Sequence, residues 1–347
     1  MERTDYFIRR LLLIIPTFIG ITLVCFGMVQ LVPGGPVEQM MVRMRGMGEG
    51  ESRPAQGGQV TSVTAEYRAQ LEKHFGFDRP LWERYLRWLV HDRLGLNTPS
   101  YKYPDKTAWQ VISQRFEVSL IFGITGFVLT YLVCIPLGIA KALRQGSTFD
   151  VISSAMVFAG YAMPAFALGM LLKMLFCGTV DHFWSWFPVA GFESDHFAAM
   201  GWGEKFADRV QHMFLPLVCY VAGNFAVLTV LMKNALLDQI GSDYIRTVLA
   251  RGGSFRRAVW GHAFRNALIP IATGFGSVLT LMFAGSVVIE TVFEIPGMGR
   301  LSLESMVGRD YPVFLGAVSI TALLGLLGNV VSDLCYVLID PRINFRK

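Results

Sequence analysis

The stretch DQIGSDYIRTVLARGGSFRRAVWGHAFRNALIP, residues Asp238–Pro270, is a polar and basic interval between two long apolar runs. Its spacing predicts two short helices separated by Gly252 and Gly253. Ser242 and Ser254 are the expected N-caps, because a serine oxygen can accept a hydrogen bond from a free amide of the first turn. Gly253 is expected to adopt the left-handed conformation that ends the first helix.

An apolar stripe on the first of these helices leads to two interpretations of the stretch. Its members recur at three- and four-residue spacing: Leu237, Ile240, Tyr244 and Val248. The stripe favours an amphipathic helix held at the membrane surface, where it docks a partner. The alternative is an ordinary cytoplasmic loop, which is basic because basic loops stay inside. Spacing alone leaves both open.

The composition of the chain predicts a membrane protein. Of its 347 residues, 53% are hydrophobic and 16% are charged, whereas soluble domains carry about 25% charged residues. The net charge of +5 is spread over several loops and does not indicate a nucleic-acid surface. The five cysteines form no CxxC pair, and the six histidines form no HExxH motif, so neither set predicts a metal site.

Six apolar runs are long enough to cross a bilayer as helices, which takes about 20 residues each. They lie near Leu11–Leu31, Val118–Ala140, Val151–Phe176, Phe214–Leu231, Leu268–Val292 and Val313–Ile339. Prolines inside or beside these runs are expected to bend helices or mark their ends. The first run lacks a small-residue cleavage site, so we expect a retained span instead of a removed signal peptide.

The charge of the loops predicts the orientation. With the N-terminus inside, the cytoplasmic segments hold fourteen basic and six acidic residues, as the positive-inside rule requires. Both termini are then cytoplasmic. The predicted organisation is an N-terminus with the first span, an outside segment, a five-span core that contains a cytoplasmic loop at 232–267, and a cytoplasmic C-terminus: 1–36, 37–117, 118–339 and 340–347.

The sequence motifs of the loop resemble those of a known family. Asp243-Tyr244-Ile245-Arg246-Thr247, Ala250-Arg251-Gly252 and His262-Ala263-Phe264-Arg265-Asn266 resemble the coupling loop of binding-protein-dependent ABC importer permeases, in the dipeptide, oligopeptide and nickel branch. The general importer pattern has Glu-Ala-Ala before the glycine and Ile-x-Leu-Pro after it. The sequence departs from that pattern in the way that the peptide branch does. Glu290-x-Val292-Phe293, Pro296-Gly297-Met298-Gly299 and Arg309-Asp310-Tyr311-Pro312 resemble the outer segment of the same branch.

The resemblance implies an all-α membrane protein with the six-helix fold of type I importer permeases and a periplasmic subdomain after the first helix. It also implies a set of residues that couple the chain to an ATPase: Tyr244, Ile245, Arg246, Thr247, Ala250, Arg251, Gly252, Arg256, Arg257, His262 and Arg265. Glu290 and Glu294 would face the translocation path and attract the N-terminal ammonium of a peptide. The alternative for these two glutamates is a capping or hydrogen-bonding role in a re-entrant turn.

The implied function is that of a permease subunit in an ATP-driven importer of the bacterial inner membrane. Within the branch the chain looks most similar to Yej-type permeases, which implies uptake of oligopeptides, including peptide antibiotics of the microcin C type and muropeptides. Expected partners are a second homologous permease, ABC ATPase domains, a periplasmic peptide-binding protein and the lipid bilayer, with no nucleic acid. Nickel or small sugars as cargo, and a passive membrane channel, are the alternatives.

The chain itself is not expected to be an enzyme. The dipeptide Gly-Lys does not occur, so no phosphate-binding GxxxxGK[ST] loop exists and ATP with its magnesium would bind a partner chain. No cofactor is expected on this chain. A membrane enzyme would need a GxSxG serine, a metal pair or paired acids at membrane depth, and the spans carry none.

Three further features carry expectations. Asp333 lies inside the last span, where a carboxylate needs a partner, and we expect an arginine to supply it. Lys173, late in the third span, is expected to extend outward to the interface. In the segment before the second span, Leu81, Tyr85, Leu86 and Leu89 are expected to share one helical face, joined by Trp82 and Trp88.

Overall fold

A computed structural model describes residues 3–32, 67–71, 77–179, 184–272 and 285–339, with the isolated positions 35, 37, 38, 41, 73 and 274. Within these ranges the regular structure is helical, and two isolated β-bridges are the only strand-like pairings. The α-helices are α1 Arg3–Leu31, α2 Leu81–Leu86, α3 Ala108–Leu143, α4 Thr148–Ala162, α5 Ala165–Phe176, α6 Trp202–Ile240, α7 Asp243–Ala250, α8 Phe255–Ala258, α9 Phe264–Ala272, α10 Val287–Val292, α11 Met298–Val307 and α12 Tyr311–Ile339.

Four of these helices are long and apolar enough to cross a membrane: α1, α3, α6 and α12. Helices α4 and α5 pass the same test together but meet at 98°, as in a broken span or a re-entrant loop. The described ranges thus contain four membrane-capable helices, or five with the bent pair. The predicted span Leu268–Val292 falls partly outside the described residues, as does the predicted C-terminal segment 340–347. The six-span count stays a prediction.

The bend between α4 and α5 follows from Pro164. Met163 precedes it and is extended, with φ −88° and ψ 122°, because a following proline ring clashes with a residue in the helical conformation. Pro164 is the N-cap of α5, where its missing amide proton costs no helical hydrogen bond. The run predicted as one span, Val151–Phe176, is therefore two helices. Pro16, Pro136 and Pro216 instead lie inside continuous helices.

Helix α6 begins earlier than the apolar pattern predicts, at Trp202 instead of Phe214. Its polar first turns pack against the preceding segment of the chain. Asp208 Oδ2 accepts a hydrogen bond from the Ser194 amide at 3.1 Å. The Arg209 guanidinium lies 3.8 Å from the centre of the Phe192 ring. The helix therefore extends well before the apolar run that predicted it.

The chain divides into two compact units, and the first comprises Met1–Ile15, Arg115–Leu301 and Thr321–Lys347. Two glycines allow α3 to approach α6 closely within it. A Cβ atom at Gly138 would lie 2.7 Å from Met232 Cβ. A Cβ atom at Gly126 would lie 2.8 Å from Cδ1 of Tyr220. Both contacts are shorter than van der Waals distance, so the packing of the two helices requires these glycines.

Two ionisable side chains inside apolar helices have partners in the first unit. Asp333 of α12 forms an ion pair with Arg10 of α1 and accepts a hydrogen bond from the Tyr6 hydroxyl at 3.1 Å. This confirms the expected arginine partner. Lys173 Nζ donates to the Val292 carbonyl, the last of α10, at 2.8 Å, because a free carbonyl at a helix end attracts the ammonium group. Its expected extension to the membrane interface stays a prediction.

The second unit comprises Pro16–Gln114 and Ser302–Ile320. Its aromatic core joins Phe26, Tyr85, Trp88 and Leu315. The Tyr85 hydroxyl lies 2.9 Å from the Thr22 hydroxyl, both in the interior. The face predicted for the α2 segment is partly wrong, since Leu81, Trp82 and Leu86 are exposed. Tyr85 of α2 and Trp88, which lies just after it, are buried instead.

Candidate functional site

The predicted coupling stretch is a series of short helices that starts where α6 ends. Gly241 and Ser242 separate α6 from α7, so the apolar stripe predicted for one helix is divided between two. Ser254 caps α8 as predicted, because its hydroxyl oxygen accepts from the Arg257 amide at 3.3 Å. Ser242 occupies the expected N-cap position of α7, but its hydroxyl donates to the Gln239 carbonyl at 2.5 Å and makes no capping hydrogen bond.

The turn between α7 and α8 contains a left-handed residue, and it is Gly252 instead of Gly253. Gly252 has φ +82°, a conformation that disfavours residues with a side chain. Gly253 is needed for a different reason. A Cβ atom there would lie 2.8 Å from the Val248 carbonyl oxygen. The Gly-Gly pair thus combines one conformational and one steric requirement, and the expectation for Gly253 is corrected.

The inner side of the stretch rests on a buried apolar seat. Ile245 of α7 is only 1% exposed, although the predicted stripe did not include it. Leu237, Ile240 and Val248 pack at the edge of the seat. The seat combines residues of α3, α6 and the second half of the stretch: Ile139, Ala142, Met232, Ala235, Leu236, Ala258, Val259, Ala263, Ala267 and Ile271. Burying one isoleucine contributes about 1.5–3 kcal/mol.

The outer side of the stretch is aromatic and basic. Its large apolar side chains are between 37% and 52% exposed: Tyr244, Leu249, Phe255 and Trp260. Arginines surround them, and Ser254, Arg256, Arg257, Trp260 and Gly261 line one groove. Arg246 reaches Asp243 at 3.5 Å, but both side chains are largely exposed, and such a pair contributes little to stability. The Arg246 guanidinium is therefore exposed at this surface.

The predicted coupling residues divide into one buried anchor and an exposed set. Ile245 is the anchor, and the remainder are exposed: Tyr244, Arg246, Thr247, Ala250, Arg251, Gly252, Arg256, Arg257, His262 and Arg265. Tyr244 also joins the two halves of the stretch, because its hydroxyl donates to Gln239 Oε1 at 2.7 Å and accepts from Asn266 Nδ2 at 3.1 Å. The surface suits a partner whose cleft offers apolar contacts and carboxylates.

Glu290 lies in the predicted outer segment and is 5% exposed. Its Oε1 accepts from the Ser286 amide at 3.0 Å, and its Oε2 accepts from the Arg300 amide at 2.7 Å. A Cβ atom at Gly297 would lie 2.4 Å from the Glu290 carboxyl carbon. The carboxylate thus holds together the turn between α10 and α11, and the glycine leaves room for it. This geometry favours the hydrogen-bonding alternative for Glu290.

Glu294 differs from Glu290 in exposure and in backbone conformation. It is exposed and has φ +54°, an uncommon conformation for a residue with a side chain. The structure brings its backbone to the same turn, since its amide donates to the Thr291 carbonyl at 3.3 Å. A role in the translocation path stays a prediction for both glutamates, and Glu294 is the one whose carboxylate reaches solvent.

A buried carboxylate that sequence reasoning did not single out organises the second unit. Asp310 is 2% exposed and accepts from the Ser100 hydroxyl and from the amides of Tyr101 and Lys102, at 3.1 and 3.3 Å. Burial raises the pKa of the Tyr101 hydroxyl, and the Asp310 charge raises it further. The Arg309-Asp310-Tyr311-Pro312 motif is visible in the sequence, but no local pattern connects it to a segment about 210 residues away.

Beside this carboxylate the second unit contains a cavity of about 710 Å³. Its walls combine aromatic rings with cationic side chains, among them Arg84, Arg87, Trp88 and Tyr101. The Arg84 guanidinium lies 4.2 Å from the centre of the Phe77 ring. Among the residues that the structure describes, no group of three His, Cys, Asp or Glu side chains is placed to hold a metal ion.

The model of the family described as binding-protein-dependent transport system inner membrane component matches residues 134–345. That range includes the whole coupling stretch, the turn of Glu290 and helix α12.

Relatives match the chain over nearly its whole length. The peptidoglycan transport system permease protein YejB of Agrobacterium fabrum is 38% identical, with 99% of this chain and 98% of the relative covered. The inner membrane ABC transporter permease protein YejB of Escherichia coli O157:H7 is also 38% identical, with 98% of each covered. The dipeptide transport system permease protein DppB of Escherichia coli K12 is 35% identical, with 99% of each covered.

Proposed function

We propose, from the premise that the chain belongs to the family of binding-protein-dependent transport system inner membrane components, that it is the membrane subunit of a peptide importer. The cargo class rests on the relatives, whose names specify peptidoglycan and dipeptide transport. Oligopeptides, including muropeptides and peptide antibiotics of the microcin C type, are the proposed substrates. Nickel and small sugars are the alternatives within the class that an experiment must exclude.

The observation that carries the proposal is the two-sided construction of the coupling stretch. Its inner side, centred on Ile245, is buried against α3 and α6. Its outer side presents exposed rings and arginines. A loop that only connected two spans would not need both sides. A partner that pushes on the outer side would move the two long helices beneath it, because the seat is closely packed.

The family and the relatives support the proposed partners. ATPase subunits would bind the coupling stretch and hydrolyse ATP, while this chain remains non-catalytic. A second homologous permease would complete the path across the membrane. A periplasmic peptide-binding protein would deliver cargo to the periplasmic side of the membrane. Transport would proceed by alternating access, in which nucleotide binding favours one of two arrangements of the helices.

We further propose six spans in the inner membrane with both termini cytoplasmic. The bent pair α4 and α5 would count as one span, and the chain around α9 and α10 as another. The Arg10–Asp333 ion pair joins the beginning of α1 to the end of α12. This contact supports two termini on the same side of the membrane. Residues 37–117 would form the periplasmic subdomain, and 340–347 the cytoplasmic tail.

The test is reconstitution of the complete complex in liposomes with the binding protein. We expect the peptide-loaded receptor to stimulate ATP hydrolysis and labelled peptide to accumulate in the lumen, whereas receptor with nickel or a disaccharide does neither. A chain that copurifies with no ATPase and no second permease, and that conducts peptide without ATP, would be a passive channel, and the proposal would be wrong.

A further inference from the structure

Three charged side chains meet in the first unit outside the site described above. Lys141 is near the end of α3, Asp150 is in the first turn of α4, and Lys233 lies on α6. The Lys141 side chain is 1% exposed and that of Asp150 is 8% exposed. The Lys233 side chain is 17% exposed. Three different helices thus contribute one charge each to an almost enclosed cluster, which we name the charge triad.

The carboxylate of Asp150 is the centre of the charge triad. Lys233 Nζ lies 2.8 Å from its Oδ1 and 2.7 Å from its Oδ2, so one ammonium group bridges both oxygens. Lys141 Nζ is 3.1 Å from Oδ1. The Gly146 amide donates to Oδ2 at 3.1 Å. Oδ1 therefore faces two ammonium groups, Oδ2 faces one ammonium group and one amide, and removal of the carboxylate would leave several of these groups without an acceptor.

The ammonium group of Lys141 is equally constrained. Besides the carboxylate, it donates to the Asp150 carbonyl at 2.9 Å, to Ser153 Oγ at 2.9 Å and to Ser154 Oγ at 2.6 Å. All these acceptors belong to the first two turns of α4. Lys141 consequently attaches the end of α3 to the beginning of α4 through several hydrogen bonds. Because hydrogen bonds are directional, they fix the orientation of the two helix ends relative to each other.

The charge triad lies next to the apolar seat that supports the coupling stretch. Lys141 is adjacent in sequence to Ala142, and Lys233 is adjacent to Met232. Ala142 and Met232 are members of the apolar seat around Ile245. The two helices that support the coupling stretch are therefore the two that hold α4 through Asp150. Helix α4 itself is absent from the seat, so the charge triad supplies it with polar attachments to the helices that form the seat.

A purely structural purpose does not require charges here. Apolar side chains of similar volume often hold helices together as well as a buried ion pair, without the cost of removing charges from water. Ion pairs and directed hydrogen bonds differ from apolar contacts because they resist sliding as well as separation. That property suits an element that must transmit a displacement.

We propose that Asp150 is a positioning residue that makes α4 move as one body with the ends of α3 and α6 when the coupling stretch is displaced. The inference rests on the proposed importer function and assigns a step within it. Displacement of α4 would pass through the 98° bend to α5, and from Lys173 of α5 to the Val292 carbonyl at the end of α10. The charge triad is then the first polar connection in a series that leads from the coupling stretch, where the ATPase would bind, to the turn between α10 and α11.

The experiment measures peptide uptake and ATP hydrolysis in the same liposomes, using the complete complex with its receptor. Asp150→Asn and Lys233→Met are the test variants, Lys233→Arg is the conservative variant that retains a bidentate donor, and the exposed Asp195→Asn is the matched control. We expect the number of peptides taken up per ATP to fall about tenfold in the two test variants, within the usual range of coupling between sites. Lys233→Arg and Asp195→Asn should keep the wild-type ratio.

Two results would overturn the inference. The first is an unchanged ratio of uptake to hydrolysis in both test variants. The second is a parallel loss of uptake and hydrolysis that matches a loss of assembled complex on size-exclusion chromatography, because that is the effect of a merely structural residue. Failure of the proposed function is distinct: it appears in the wild-type complex, as hydrolysis that the peptide-loaded receptor does not stimulate.

Discussion

Arg10 and Asp333 form an ion pair that joins the first and last membrane-capable helices of the chain. The Tyr6 hydroxyl completes the site by donating to the same carboxylate oxygen at 3.1 Å and accepting from Arg10 at 2.6 Å. A carboxylate inside an apolar helix is costly without a partner, so the pair explains how α12 accommodates Asp333.

The ion pair gives the first prediction. Asp333→Leu should destabilise the subunit by about 1–3 kcal/mol, because it leaves the partly exposed Arg10 guanidinium without its carboxylate. Thermal unfolding of the detergent-solubilised complex measures the effect. The double variant Arg10→Leu/Asp333→Leu should recover most of the loss, since replacing both partners removes the unpaired charge. A double variant no more stable than the single one would contradict this account.

A second prediction separates the two sides of the coupling stretch. Ile245→Ala should lower the free energy of unfolding by about 2–5 kcal/mol, because the side chain is fully buried in the seat. Leu249→Ala, on the 38% exposed outer side, should leave stability unchanged and weaken association with the ATPase subunits. Thermal unfolding and ATPase pull-down measure the two effects. Equal destabilisation by both variants would show that Leu249 is also part of the packing.

The third prediction concerns Gly252 and its φ of +82°. No atom lies within 4 Å of a Cβ atom built there, so the strain of a substitution is that of the backbone, about 1–2 kcal/mol for alanine. Gly252→Asn should be tolerated best, Gly252→Ala less well and Gly252→Val least, since asparagine visits this conformation and β-branched residues avoid it. Peptide-stimulated ATP hydrolysis should follow that order. Equal activity in all three variants would mean that the turn does not need this conformation.

A fourth prediction distinguishes the two roles considered for Glu290. Glu290→Gln replaces one of two oxygens that accept backbone hydrogen bonds, and an unsatisfied buried donor costs about 1–3 kcal/mol. We expect lower thermal stability and an equal reduction of uptake for peptides with free and with acetylated N-termini. A selective loss of peptides with a free ammonium group, at unchanged stability, would instead place Glu290 in the path. Glu294→Gln tests the exposed glutamate in the same assay, where a selective loss of peptides with a free ammonium group would place Glu294 in the path.

The fifth prediction concerns Asp310 in the second unit. Asp310→Ala removes the acceptor shared by Ser100, Tyr101 and Lys102, so the segment around these residues should become accessible to proteases. Limited proteolysis followed by mass spectrometry would locate the cuts, with Asp105→Ala in the same loop as the exposed control. Wild-type resistance in Asp310→Ala would show that the other contacts of the segment hold it in place.

The sequence predicted the local features of the coupling stretch well and its boundaries less well. Ser254 caps its helix as its position next to a helical pattern indicates. Gly252 and Gly253 both mark the turn, but which glycine is left-handed depends on how the chain after α7 meets Val248, and no pattern of residue types contains that contact. Trp202 begins α6 although polar residues follow it, because their partners lie in the preceding segment.

By itself the sequence determined the class of the protein: apolar runs of membrane length, a basic stretch between them and motifs whose residues are close together in the chain. These features depend on composition and on spacing within a helical turn or two, which are local quantities. Only the tertiary structure decided that Ile245 is the buried anchor, that Arg10 neutralises Asp333, that Asp310 holds the segment around Ser100 and that Asp150 joins three helices. Each of these relationships joins residues far apart in sequence, and burial or pairing at such distances is set by how the helices pack.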